Sequence, residues 1–313
     1  MSRIVIGLGG NALLRRGEKA DARVQLDHIR QIAPALARIA NGADLVIVHG
    51  NGPQVGMLAL ERERDRALSA TYPLDALVAE TQGLLGYWLQ QAIGNAGLER
   101  RIVTVVTQTV VDAADPAFDT PTKFIGRTYS EGEAHRLATE HGWSVAADGS
   151  NWRRVVPSPA PVRVIETSIV ADLLELGVTV ICAGGAGSAV VVDHNGIRGI
   201  EAVVDKDHVA ALLAIELGAD QFVLLTDVAT VISGYGTPDA RPLRDVTVES
   251  LTTENFAAGS MGPKVAAACY FAATTGKVAA IGSLDDIDAV IAGSAGTQIT
   301  SNASAETDGR GST

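Results

Sequence analysis

The chain has 313 residues, 47% of them hydrophobic, enough to bury a large core as one α/β domain or two smaller ones. A formal net charge of −11 argues against a nucleic-acid partner or an anionic membrane surface. Two cysteines, Cys182 and Cys269, are too few for a disulfide framework and read as small core residues of a reduced protein.

The opening MSRIVIGLGG has neither the apolar region nor the cleavage site of a secretory signal. No segment is apolar and uncharged over a bilayer's thickness, so a soluble cytoplasmic protein is expected. In chain order, Val- and Ile-rich runs predict strands over Ile4–Leu8, Leu45–His49, Ile102–Thr107, Val178–Cys182, Phe222–Thr226 and Val278–Ile281. Several are apolar on both faces, as in parallel strands covered on each side. Between them, Leu77, Thr81, Leu84, Leu85, Trp88 and Leu89 recur at helical spacing. So do Val209, Leu212, Leu213 and Leu217, with Gly218 placed to end that helix. The alternation predicts an α/β fold, a three-layer αβα sandwich with a mainly parallel central sheet.

Residues 115–161 break the rhythm with Pro, Gly, Asp and aromatic residues, and predict a small lid or protruding subdomain inserted in a 1–300 domain. The stretch Ser233–Asp245 predicts a loop with a short hairpin. The polar residues 301–313 predict a disordered tail.

Three predicted strands end in glycine turns: Gly7-Leu8-Gly9-Gly10-Asn11, His49-Gly50-Asn51-Gly52 and Gly184-Gly185-Ala186-Gly187. Ligands of open α/β sheets sit beyond the carboxyl ends of strands, where glycine lets backbone N–H groups approach phosphate oxygens. The first turn also satisfies G-x-G-x-x-A. The second strand, however, ends in His49-Gly50 rather than the acidic residue that holds a ribose, so a dinucleotide site is disfavoured. No lysine is followed by Ser or Thr, which excludes a P-loop. No nucleophile elbow, H-E-x-x-H or His/Cys metal cluster occurs, and His49 reads as a satisfied core histidine.

Lysine is scarce: five among 25 basic residues. Lys123 follows Pro121-Thr122, Lys206 lies between Asp205 and Asp207, and Lys264 ends Gly259-Ser260-Met261-Gly262-Pro263. A compact ammonium suits phosphate oxygens. Asp205 and Asp207 can orient the lysines, and Asp207 can also act as N-cap of the helix starting near His208.

These motifs resemble carbamate kinases of the amino-acid-kinase superfamily, collinearly over about residues 3–299. The matching blocks include Gly9-Gly10-Asn11-Ala12, His49–Gly56, Thr81–Leu89, Pro121-Thr-Lys123, Trp152–Pro159, Asp205-Lys-Asp207, Leu225-Thr-Asp227, Gly259–Lys264 and Gly296-Thr-Gln-Ile299. The resemblance implies a homodimer, with the excursion as a lid, and the reaction ATP + carbamate ⇌ ADP + carbamoyl phosphate with Mg²⁺. It implies that Lys123, Lys206 and Lys264 contact the transferred phosphoryl group and that Asp207 organises them. Gly9, Gly10, Asn11, Gly50, Asn51 and Gly52 would hold acceptor and phosphoryl oxygens. Asp205, Asp227, Tyr235 and Met261 would lie at the nucleotide.

The chemistry agrees: a carbamate oxygen is already ionised, so cations and N–H donors matter more than a general base. The chain departs from the family pattern at Phe124 and Arg127, where prolines are usual, at Ala186-Gly187-Ser188-Ala189, and at Asn151. These departures read either as neutral drift in loops or as a changed lid geometry and acceptor, in which Arg127 could bind a further carboxylate. A carbamoyl-transferring relative and a silent ligand-binding homologue are the other readings.

Overall fold

The computed structural model describes residues 1–10, 13–14, 18–19, 21–64, 67, 71–254, 256 and 261–301. Asn11 and the tail beyond Ser301 lie outside them, as do Gly259 and Ser260. The chain begins β1 (Arg3–Leu8), α1 (Ala22–Gly42), β2 (Asp44–His49), α2 (Gly52–Arg64), α3 (Leu74–Asn95) and β3 (Arg101–Thr104). It continues through β4 (Gln108–Val111), β5 (Lys123–Tyr129), α4 (Glu131–His141), β6 (Ser144–Asp148), β7 (Asn151–Val156) and β8 (Pro161–Val164). Then come α5 (Thr167–Glu175), β9 (Val178–Ile181), β10 (Ser188–Asp193), β11 (Gly196–Gly199), α6 (Lys206–Glu216) and β12 (Gln221–Thr226). The remainder is β13 (Ile232–Ser233), β14 (Arg241–Pro242), β15 (Asp245–Thr247), α7 (Val248–Thr252), α8 (Met261–Thr275), β16 (Val278–Ser283), α9 (Ile287–Ile291) and β17 (Thr297–Thr300).

The central sheet has the order β15-β17-β16-β12-β1-β2-β9-β3. Every pairing in it is parallel except β16 with β17. The middles of its inner strands are apolar on both faces because helices cover both sides. On one face Val5, Val46 and Phe222 pack against Leu213 of α6 and Phe271 of α8. The other face sets Ile6, Leu45 and Leu225 against Ile29 and Leu36 of α1 and Leu85 and Leu89 of α3. The result is the three-layer αβα sandwich that the alternation of elements predicts.

Two readings need correction. The run Ile102–Thr107 is not one strand. β3 stops at Thr104, Val105 N still donates to Ile181 O at 2.9 Å, and the chain then enters β4 of a second sheet, ordered β11-β10-β4-β8. On α3, Leu77, Thr81, Leu85 and Leu89 are buried, whereas Leu84 faces solvent. The irregular stretch does contain a hairpin, β13 with β14. Among the described residues no helix is long and apolar enough to cross a membrane.

Residues 123–156 form a separate three-stranded antiparallel sheet, β5-β7-β6, with α4 on it. Ile125 and Val156 anchor this sheet on Val55 of α2 and Leu77 and Val78 of α3. The register of β5 on β7 shifts between Ile125 and Thr128. At that shift Gly126, with φ +73°, lies against α2 so closely that a methyl on Gly56 would sit 2.3 Å from its Cα. Only glycine at position 56 permits this approach.

Candidate active site

The turns after β1, β2 and β9 lie side by side because those strands are neighbours in the sheet. They also pack on one another. A methyl on Gly50 would lie 3.1 Å from Gly10 N, and one on Gly185 would overlap the Asn51 side chain at 1.9 Å. Backbone donors divide into two groups. Gly9 N donates to Leu225 O at 2.8 Å and Gly50 N to Leu8 O at 3.1 Å, so these two N–H groups extend the sheet. Gly52 opens α2, where first-turn N–H groups have no helical acceptor and Pro53 costs none. Asn51 is buried, and its Nδ2 donates to Thr81 Oγ1 at 2.7 Å, which points its amide at α3. Asn11 lies outside the described residues.

α6 packs on β1 and on the third glycine turn, and α8 packs on α6. This brings five of the expected side chains together in two adjoining sets of ion pairs. Lys206 Nζ donates to Asp207 Oδ1 at 2.5 Å and Lys264 Nζ to Asp207 Oδ2 at 2.9 Å. Lys123 Nζ reaches across from β5 to Asp205 Oδ2 at 2.7 Å. The N-cap of α6 is Asp205, not Asp207: its Oδ1 accepts from Asp207 N at 2.9 Å and His208 N at 3.4 Å. Asp207 is thereby inside the first turn and free to bridge two lysines. Both oxygens of Asp205 are engaged within the protein, Oδ1 by the start of α6 and Oδ2 by Lys123.

Burial works against ionisation of Asp207, but Lys206 and Lys264 outweigh it and hold the carboxyl well below the usual range. Asp205 is likewise lowered, burial being overcome chiefly by Lys123. Burial lowers Lys206, with Asp207 opposing that shift. Three ammoniums against two carboxylates leave one net positive charge. Each ammonium makes one of its three possible donations to a carboxylate, so N–H groups are left for an anion.

The third turn is held in a strained shape. Ala183 (φ +49°) and Ala186 (φ +79°) both adopt positive φ without being glycine. A buried polar set fixes them: Thr107 Oγ1 accepts from Ala183 N at 3.0 Å, and Thr109 Oγ1 donates to Ala186 O at 2.5 Å. Gln82 clamps Thr107, accepting from its N at 3.0 Å and donating to its O at 3.1 Å. Sequence reasoning missed this set. Its signal was two polar residues, Thr81 and Gln82, on an otherwise apolar helix face. His49 is fully buried beside Lys206, with Nδ1 3.1 Å from Gly50 O, and burial lowers its pKa to about 4.

Other expected residues lie further out. Asp227 follows β12 and is exposed, Met261 opens α8 half-buried, and Tyr235 is 82% exposed in the turn between β13 and β14. Arg127, on the small sheet, pairs with Glu133 at 2.9 Å and lies 4.4 Å over the Tyr129 ring.

The profile of the Amino acid kinase family matches residues 2–283. A carbamate kinase of Haemophilus influenzae is 50% identical over 300 residues, spanning 95% of this chain and 96% of its own. One from Pyrococcus furiosus is 46% identical over 312 residues, covering 95% and 98%. Among solved structures, carbamate kinase from Giardia lamblia bound to AMP-PNP superposes with a TM-score of 0.88 at 38% identity, covering 96% of this chain and 98% of that one. The chain therefore belongs to the amino acid kinase family, within its carbamate kinases.

Proposed function

We propose that the chain catalyses ATP + carbamate ⇌ ADP + carbamoyl phosphate and runs toward ATP in catabolism, in the cytoplasm. The observation that carries the reading is the Lys123–Asp205 and Lys206–Asp207–Lys264 array beside the paired glycine turns. In the ATP-forming direction, a terminal oxygen of ADP attacks the phosphorus of carbamoyl phosphate. The bond from phosphorus to the carbamate oxygen breaks, and its electron pair stays on that oxygen. No proton needs to move, so positioning and charge neutralisation suffice.

Lys206 and Lys264 hold the equatorial oxygens of the phosphoryl group, and Lys123 approaches from the small sheet, which acts as a lid. Gly10, Asn11 and the α2 N-terminus at Gly52 hold the acceptor, and Gly9 and Gly50 supply the close backbone approach. Asp227, Tyr235 and Met261 face the nucleotide. Mg²⁺ bound with the nucleotide would neutralise charge on the phosphates alongside Lys206 and Lys264, since this ion takes few protein ligands. A homodimer fits as well: β3 is a sheet edge, and Tyr87, Leu84 and Val106 are exposed beside it.

The test is purified protein with Mg·ADP and carbamoyl phosphate, following ATP. Formation of ATP is expected, with kcat falling on the order of 100-fold in Lys264→Ala, about 3 kcal/mol of transition-state stabilisation. Nucleotide binding without ATP formation by the unaltered protein would overturn the reading.

A further inference from the structure

Asp205 joins two parts of the molecule through one carboxylate. Oδ1 caps α6, the helix that opens with Lys206 and Asp207, and Oδ2 holds Lys123 at 2.7 Å. A second tie lies alongside, from Val203 N to Pro157 O at 3.0 Å, linking the end of the small sheet to the segment that leads into α6. The Asp205 side chain is largely buried, while that of Lys123 is 36% exposed. A lysine stem in such a setting has many rotamers and needs a partner to stay in one place.

We propose that Asp205 is the positioning residue for Lys123: it registers the ammonium from the small sheet against Lys206 and Lys264. This rests on the phosphoryl-transfer reading above. The remaining N–H groups of Lys123 then face the phosphoryl oxygens while the third stays on Asp205. Two carboxylates thus hold three lysines, Asp207 within the helical layer and Asp205 between the layer and the small sheet.

A purely capping role for Asp205 is separable from this one, because asparagine caps helices about as well as aspartate. In Asp205→Asn the cap persists and the ion pair is lost. The expected result is a kcat lowered about tenfold or more with little change in KM for ADP, since a lysine displaced by an ångström loses its transition-state contact. In Lys123→Ala/Asp205→Asn, kcat should be no lower than in Lys123→Ala alone, because both changes remove the same interaction.

Amide hydrogen exchange supplies a readout that needs no turnover: without ligands, Asp205→Asn should exchange faster over residues 123–129 while α6 keeps its protection. Wild-type kcat in Asp205→Asn, or losses that multiply in the double variant, would overturn the proposal. So would unchanged exchange in β5, whatever the activity of the unaltered protein.

Discussion

Asp207 is buried, yet its pKa is held low because two lysines surround it, and the same carboxylate raises the Lys206 pKa against the pull of burial. Removing one partner of a buried ion cluster leaves charge uncompensated. Asp207→Asn should therefore cost about 3 kcal/mol of stability, read by urea denaturation. It should also lower the Lys206 pKa further, since Asp207 is what raises it. Catalysis depends on the ammonium form, so the alkaline limb of kcat against pH should move to lower pH in the variant. An unmoved limb would separate Lys206 from the reaction. The lysines and Asp207 were legible because they are rare residues in unusual settings. The exchange of cap between Asp207 and Asp205 was not: both are good N-caps two positions apart, and only the helix start at Lys206 decides between them.

At the scale of elements, the small sheet meets the body through a backbone-to-backbone contact. Gly56 on α2 and Gly126 on β5 approach so closely that Gly56→Ala must push β5 away by about an ångström, given ordinary carbon separations. Lys123 begins that strand. The substitution should lower kcat by roughly 10–100-fold and cost about 1–3 kcal/mol of stability. A variant with full kcat and the wild-type melting temperature would show that the contact does not set the lysine. The inner strands of the main sheet were readable from uninterrupted apolar runs. The second sheet, the small sheet and the strands β15 and β17 at one end of the main sheet were not, because they are short and several of them pair across long stretches of sequence. Their partners are fixed by tertiary context rather than by local pattern.

Across the whole molecule, the site makes stability depend on pH in one direction. Asp205 and Asp207 have lowered pKa values, so their stabilising contribution is complete above the unfolded carboxylate value near 3.8 and is lost below it. His49 acts in a different window. Its folded pKa of about 4 lies under the ordinary 6.5, so between those values the unfolded chain binds the extra proton and the folded one does not. Stability then rises with pH across that interval, by roughly 1.4 kcal/mol per unit and about 3 kcal/mol in all. It is fully present above pH 6.5 and falls away on acidification, before the two carboxylates begin to titrate. His49→Gln keeps a polar side chain that cannot be protonated. Urea denaturation at pH 7 and pH 5 should show a loss about 2 kcal/mol smaller in the variant than in the unaltered protein. Parallel losses would mean that the imidazole beside Lys206 titrates normally, and that burial of the turn after β2 is less complete in solution than its packing against Gly184 requires.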